Sequence, residues 1–298
     1  MNVSRTENQE RTSNHVIILW CTTFSLIAIA ILCANALTIA VFTVKKLLRK
    51  NSNILLLNLA CADLMIGGIA MPLYICIFYK ALSGHQWYDN AVHEIYITVD
   101  IFAGLSSMFI LTAIALERAY SVFFPFKHRG ASRRFYWSSA TFMWVMAGCL
   151  ACLKLLTSRR ILPSSYDNNI ILIFVSFALV TIIMAYASIW KKIHSRRKES
   201  MRNALIVNEK LIVQAMLIVT VAFIGMWMPI YVLNVVGSFD SKTLLTVPPN
   251  AIYFAKLLQY CNSIVNPIIY SLKIPQFRKA MRRLGHKSSV RTVRTENV

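Results

Sequence analysis

Negative charge is scarce in this chain: 12 Asp and Glu stand against 32 Lys and Arg among 298 residues. Charge of either sign is scarce as well, at 15% of residues, against about 25% in soluble proteins. The net charge of +20 raises nucleic acid as a partner. A nucleic-acid binder, however, does not place its basic residues between apolar runs of membrane length, so that class is set aside. Cysteine is missing from every long loop. Cys21, Cys33, Cys61, Cys76, Cys149, Cys152 and Cys261 all fall within or at the ends of apolar runs. None sits in a paired metal-ligand spacing, and their placement argues against a disulfide framework and fits small apolar fillers in helices. The first fifteen residues, "MNVSRTENQERTSNH", lack an apolar core. A cleavable signal peptide is therefore not expected, and the first span acts as the targeting signal. A soluble domain is lacking too: only "TSRRILPSSYDN" separates the fourth and fifth apolar runs.

What is present is hydrophobic length. Apolar residues make up 57% of the chain, and a membrane helix needs about 20 of them in succession. Seven runs qualify: Val16–Val44, Asn53–Tyr79, Val92–Val122, Phe135–Leu156, Asn169–Ile193, Leu205–Val236 and Val247–Leu272. No β-barrel alternation occurs, and helices are the other way to satisfy a backbone in lipid. The expected fold is an all-α membrane protein, a seven-transmembrane helix bundle. Residues 1–15 form an extracellular tail, 16–273 the bundle, and 274–298 a cytoplasmic basic tail. Within that tail "IPQFRKAMRRL", Ile274 to Leu284, reads as a short amphipathic helix on the inner surface.

Orientation follows from the basic residues. The segments after spans one, three, five and seven hold 23 of the 32 Lys and Arg. That side is inside, so the amino terminus is outside and the carboxyl terminus cytoplasmic in the plasma membrane. The basic excess then faces lipid headgroups, with docking of an acidic partner as a second role. Asn2 lies in an Asn-Val-Ser sequon on the outer side.

Ionisable residues at membrane depth point to function by default. Span two holds Asp63; span three holds Asp100, Ser107 and then the pair Glu117 and Arg118. Asp100 and Arg118 are separated by five helical turns, about 27 Å, on one face, and Ser107 lies close to that face. Span seven reads "KLLQYCNSIVNPIIY". Lys256 and Tyr260 share one face, and Asn262, Asn266 and Tyr270 another, so these polar residues turn to the bundle. Pro267 and, in span six, Pro229 each remove a backbone donor; Pro229, two residues after Trp227, reads as a hinge.

Taken together, these residues resemble the rhodopsin-like (class A) G-protein-coupled receptors over essentially the whole chain. Asn35 is similar to the family's span-one Asn, preceded here by Ala34. "LACAD" matches the span-two motif. "ERA" matches Asp/Glu-Arg-Tyr with Ala119 in place of Tyr. Pro125, Trp144 and Tyr186 fit the following loop, span four and span five. "MWMP" resembles Cys-Trp-x-Pro, and "NPIIY" is the full Asn-Pro-x-x-Tyr. The resemblance implies a receptor that carries an extracellular ligand signal to a heterotrimeric G protein. It implies that Arg118 pairs with Glu117 and Glu209 as an inner lock. It implies a sodium pocket of Asp63, Ser107, Asn262, Ser263 and Asn266, and no other cofactor. It makes Phe223 and Trp227 a switch beneath the ligand, with Pro229 and Pro267 as bends. Tyr186 and Tyr270 would support the open state. The departures fall at the extracellular disulfide: His93 stands at one cysteine position and the loop after span four has no cysteine. Ala178 replaces a span-five Pro.

Two readings of the outer half stand at this stage. In one, Asp100 and Tyr260 hold the ammonium of a small amine ligand, as in amine receptors, with Lys256, Tyr231 and Trp227 around it. In the other, Lys256 neutralises Asp100 internally. Span five lacks a hydroxyl cluster there, and Ile230 and Tyr231 replace paired Phe, which keeps lipid or peptide ligands and high basal activity in play. An opsin needs its Schiff-base Lys where Tyr260 stands. A transporter calls for internal repeats or broken helices, and the sequence shows no repeat. The six histidines fall outside the spans or at their ends, which gives no basis for an enzyme.

Overall fold

The computed structural model describes the backbone of residues 2–44, 51–82, 90–163, 167–196, 204–273, 277–279 and 281, with side chains for 15–43, 51–80, 91–163, 169–192, 221–240, 242, 243, 246–269, 271, 277–279 and 281. The described residues contain helix and turn, and no strand. Span one is α1 (Asn2–Val44). Span two is α2 (Asn53–Met65), a π-helical turn (Ile66–Ala70) and α3 (Met71–Leu82). Span three is α4 (Asn90–Phe123), followed by the one-turn α5 (Pro125–Arg129). Spans four, five and six are α6 (Arg133–Ser158), α7 (Asp167–Arg196) and α8 (Ala204–Phe239). The short α9 (Ser241–Thr246) leads to span seven, α10 (Pro249–Lys273).

Six of these helices are long and apolar enough to cross a membrane. The seventh, α10, has the length, at 25 residues, but its inward polar residues dilute its apolar character. The helix of α1 starts at Asn2, so the expected boundary at residue 15 is no break in the backbone. It marks the change from polar to apolar side chains in the sequence. Only residues 277–279 and 281 of the expected amphipathic helix are described, and they are helical. There Phe277 is buried and packs edge-on against Phe42 of α1, ring centroids 5.6 Å apart.

Span three runs through the middle of the bundle. Leu105, Met108, Ile110, Leu111, Ile114 and Ala115 of α4 are all buried, against Leu59, Ala62, Ala147, Ile182 and Phe223 in the same core. In lipid this packing rests on close van der Waals fit and interhelical hydrogen bonds, because lipid tails are as apolar as the core. Two such bonds pin the helices. Asn35 donates to the Ser263 carbonyl (3.0 Å), joining spans one and seven. Trp144 Nε1 donates to Asn58 Oδ1 (3.1 Å), joining spans four and two.

The helix ends follow local chemistry. Pro125 opens α5, where its missing amide hydrogen costs nothing. Ser132 caps α6, accepting from the Phe135 amide. Asp240 caps α9. The Thr243 hydroxyl and, next, the Lys242 amide donate to its carboxylate and hold its pKa below the usual carboxylate range.

Candidate functional site

The halves of spans three to seven that hold Asp100 and Lys256 enclose a cavity of about 300 Å³. Asp100, on the inward face of α4, meets α10 across it. Lys256 Nζ donates to Asp100 Oδ2 at 2.6 Å, and Tyr260 Oη donates to Asp100 Oδ1 at 2.9 Å. Lys256 also donates to Gln259 Oε1 (2.9 Å) and lies 4.8 Å from the centre of the Tyr260 ring. The side chains of Asp100 and Lys256 are 14% and 11% exposed. Of the two readings left open by the sequence, this geometry is the internal pair. A desolvated carboxylate is costly without a cation, and Lys256, one turn from Tyr260, supplies it.

Tyr231 and Trp227 line the same cavity. Tyr231 exchanges a 2.7 Å hydrogen bond with Ser176 of span five. Trp227 stacks at a tilt on Phe223, centroids 5.6 Å apart. Gly104 leaves room for both Trp227 and Gln259: a Cβ there would stand 3.5 Å from Trp227 Cη2 and 3.8 Å from Gln259 Nε2.

One level deeper, Asp63 is fully buried. Ser107 (3.0 Å) and Ser263 (2.9 Å) donate to its Oδ1, and Asn266 (3.0 Å) to its Oδ2. Three helices thus converge on one carboxylate. Asn262 is buried as well, but it is not among these three donors. The three recorded partners of Asp63 are neutral, and two nearby amide oxygens, Asn266 Oδ1 and Asn35 Oδ1, are buried without a hydrogen-bond partner among the described residues. Such a set of hard oxygens fits a small cation.

At the opposite end of span three from Asp100, Arg118 Nε lies 2.7 Å from Glu117 Oε2 as an ion pair. The other Glu117 oxygen meets His128 Nε2 of α5 at 2.7 Å, and Tyr136 Oη of α6 reaches the same nitrogen at 3.2 Å. An ionised carboxylate only accepts, so Nε2 carries the proton in this contact. Glu117 is therefore held on one side by its own helix and on the other by the loop helix and span four. Backbone around Glu209 is helical in α8, but its side chain, like that of Tyr270, lies outside the described residues. Tyr186 is buried in span five. Pro229 and Pro267 lie inside α8 and α10.

Sequence reasoning missed Tyr96, Gln259 and His128. Tyr96 sits one turn before Asp100, and its hydroxyl is 3.3 Å from that of Tyr260. Gln259 sits three residues after Lys256. Helical spacing from the two charged residues was the available signal for both. His128 carried none, because its contact depends on how the loop folds. At the Asp100 end of span three, Arg159 pairs with Glu94 (Nη2 to Oε2, 2.9 Å), beside His93, where the resemblance led one to expect a cysteine. All seven cysteines are free.

Comparison with known proteins agrees with this geometry. The family described as "7 transmembrane receptor (rhodopsin family)" matches residues 34–270. The type-2 angiotensin II receptor of Ovis aries is 25% identical over 283 residues, covering 84% of this chain and 75% of that receptor. The adenosine receptor A3 of Ovis aries is 24% identical over 287 residues, covering 88% of each. Opsin-1 of Schistocerca gregaria is 23% identical over 282 residues, covering 83% of this chain and 72% of the opsin. The inward polar residues, the seven-helix bundle and a family match over most of its length mark this chain as a signalling receptor and not an enzyme, and it belongs to the rhodopsin family of seven-transmembrane receptors.

Proposed function

We propose that this receptor works in the plasma membrane, with its amino terminus outside and its carboxyl terminus in the cytosol. A small ligand in the outer cavity biases the packing of the bundle, and a heterotrimeric G protein reads the change at the inner face. The observation that carries this reading is the polar path along span three. It runs from Asp100 at the cavity, past the Asp63 network, to Glu117 and Arg118 at the inner end. Polar groups are expensive at membrane depth, and this series links an outer ligand site to an inner contact site. A ligand shifts such an equilibrium only through its different affinity for the two states.

In this reading Arg118 and Glu209 form the inner lock, Trp227 and Phe223 relay the change at the cavity, and Tyr186 and Tyr270 support the open form. A sodium ion beside Asp63 stabilises the closed form. The basic inner segments meet anionic lipid headgroups and the G protein.

The test is nucleotide exchange on purified G proteins of several classes, with the chain in lipid vesicles. Exchange above receptor-free vesicles is expected, and Glu209→Ala should raise it. If neither the native chain nor this variant accelerates exchange on any G protein, the reading fails.

A further inference from the structure

The cavity's one described carboxylate is already satisfied. Asp100 Oδ2 accepts from Lys256 and Oδ1 from Tyr260. An amine entering the cavity has to expel Lys256 and leave that ammonium desolvated beside the Tyr96 and Tyr260 rings. What the cavity still offers is mainly donors. Lys256 Nζ has three N–H groups, and Asp100 and Gln259 take two of them. Gln259 spends its oxygen on Lys256, so its amide presents N–H to the Gly104 side of the cavity. Ser238 Oγ, also in the lining, is buried with no hydrogen-bond partner among the described residues.

We propose that Lys256 is a built-in ammonium that fills the Asp100 site, and that the cavity consequently takes a ligand bearing a carboxylate, held by Lys256 and Gln259. The inference rests on the receptor reading above and narrows its ligand class. The chain supplies to Asp100 the group that an amine would bring. The ligand's carboxylate then shares Lys256 with Asp100, accepting the remaining Nζ–H and the Gln259 amide N–H. Its apolar part packs on Ile101, Val175 and Trp227. Removing the Lys256 ammonium inverts the preference, because Asp100 then lacks a cation.

The test uses the full chain in lipid nanodiscs and reads the thermal unfolding midpoint against matched probes. The probes are butanoate and 3-phenylpropanoate, their methyl esters, butylammonium and 3-phenylpropylammonium. Native protein should be stabilised saturably by at least one carboxylate and by neither its ester nor an ammonium. In Lys256→Met the apparent affinity for that carboxylate should fall at least about tenfold, the scale of one charged hydrogen bond. The same variant should gain stabilisation by an ammonium. Asp100→Asn/Lys256→Met, which removes both charges and keeps the shape, serves if the single variant fails to fold; it should bind neither class. Stabilisation of the native protein by ammonium probes and not by carboxylates overturns the proposal. So does a carboxylate response that survives the loss of Lys256, or the lack of any carboxylate response. Because unfolding needs no G protein, a failure here is separable from a failure of nucleotide exchange.

Discussion

Lys256 Nζ stands 2.6 Å from Asp100 Oδ2, across 156 residues of sequence, and ties span seven to span three. Both groups are largely buried, so each is the other's main counter-charge. Replacing one alone strands a desolvated charge, at a cost of about 3–5 kcal/mol, while replacing both with neutral groups of like shape costs far less. In a thermal-unfolding cycle, Asp100→Asn and Lys256→Met should each lower the midpoint strongly, and the double variant should recover most of the loss. Additive losses would show that the two groups do not act as a pair.

The sequence carried the bundle because lipid forces a simple rule, about 20 apolar residues per helix with every polar residue accounted for. Span seven shows the limit of that rule. Its Lys256, Asn262, Ser263 and Asn266 dilute the apolar signal, yet spacing placed Lys256, Asn262 and Asn266 on inward faces and the resemblance added Ser263, and Ser263 and Asn266 do reach Asp63. The choice between a ligand amine and an internal pair at Asp100 was not legible. It turns on whether a long, flexible side chain on another helix reaches the carboxylate, which helical spacing does not fix. His128 was out of reach for a different reason: α5 is five residues long, and its orientation depends on packing against α4 and α6.

Asp63 gathers three neutral donors and is fully buried. A cation that binds the folded form alone raises stability with concentration. Exchanging choline chloride for sodium chloride at constant ionic strength should therefore raise the unfolding midpoint of the native protein. Asp63→Asn removes the charge but keeps the size, and it should abolish the sodium response. A sodium effect of equal size in that variant would remove the ion from this site.

Glu117 is held by Arg118 at 2.7 Å and by His128 at 2.7 Å. A contact to a charged group worth about 1.5 kcal/mol shifts a two-state balance about tenfold. Glu117→Gln weakens both contacts at once and should raise ligand-free nucleotide exchange clearly. His128→Ala removes one of them and should raise exchange less, and Tyr136→Phe, which loses a hydroxyl in contact with both His128 Nε2 and Glu117, should also raise it less than Glu117→Gln. Equal basal exchange in all three would mean that this cluster does not restrain the inner face.

Where the resemblance led one to expect an extracellular disulfide, Arg159 and Glu94 form an exposed ion pair beside His93. Arg160 follows in the left-handed region, with φ of 56°, as the chain leaves α6. With all seven cysteines free, millimolar reductant should leave the unfolding midpoint unchanged. The ion pair is a weak substitute, worth at most about 1 kcal/mol at such exposure. Glu94→Gln should accordingly cost little stability, and high salt should mask what it costs.

Gly67 lies in the π-helical turn of span two, against span one. A Cβ there would stand 2.8 Å from Ile31 Cγ2 and 3.2 Å from the Ala28 carbonyl oxygen. The second contact is backbone, so a rotamer change at Ile31 alone does not make room. Small residues at such crossings let helix backbones approach closely, and overpacking a tight contact costs about 1–3 kcal/mol. Gly67→Ala should lower the unfolding midpoint. Adding Ile31→Val should leave most of that loss in place, since one branch of the clash persists at Cγ2 and the carbonyl contact is untouched. Gly225 of α8 makes the control: a Cβ there meets nothing within 4 Å, and alanine is the better helix former. Gly225→Ala should therefore hold or raise the midpoint, and a fall equal to that of Gly67→Ala would mean that helix crowding is not what Gly67 relieves.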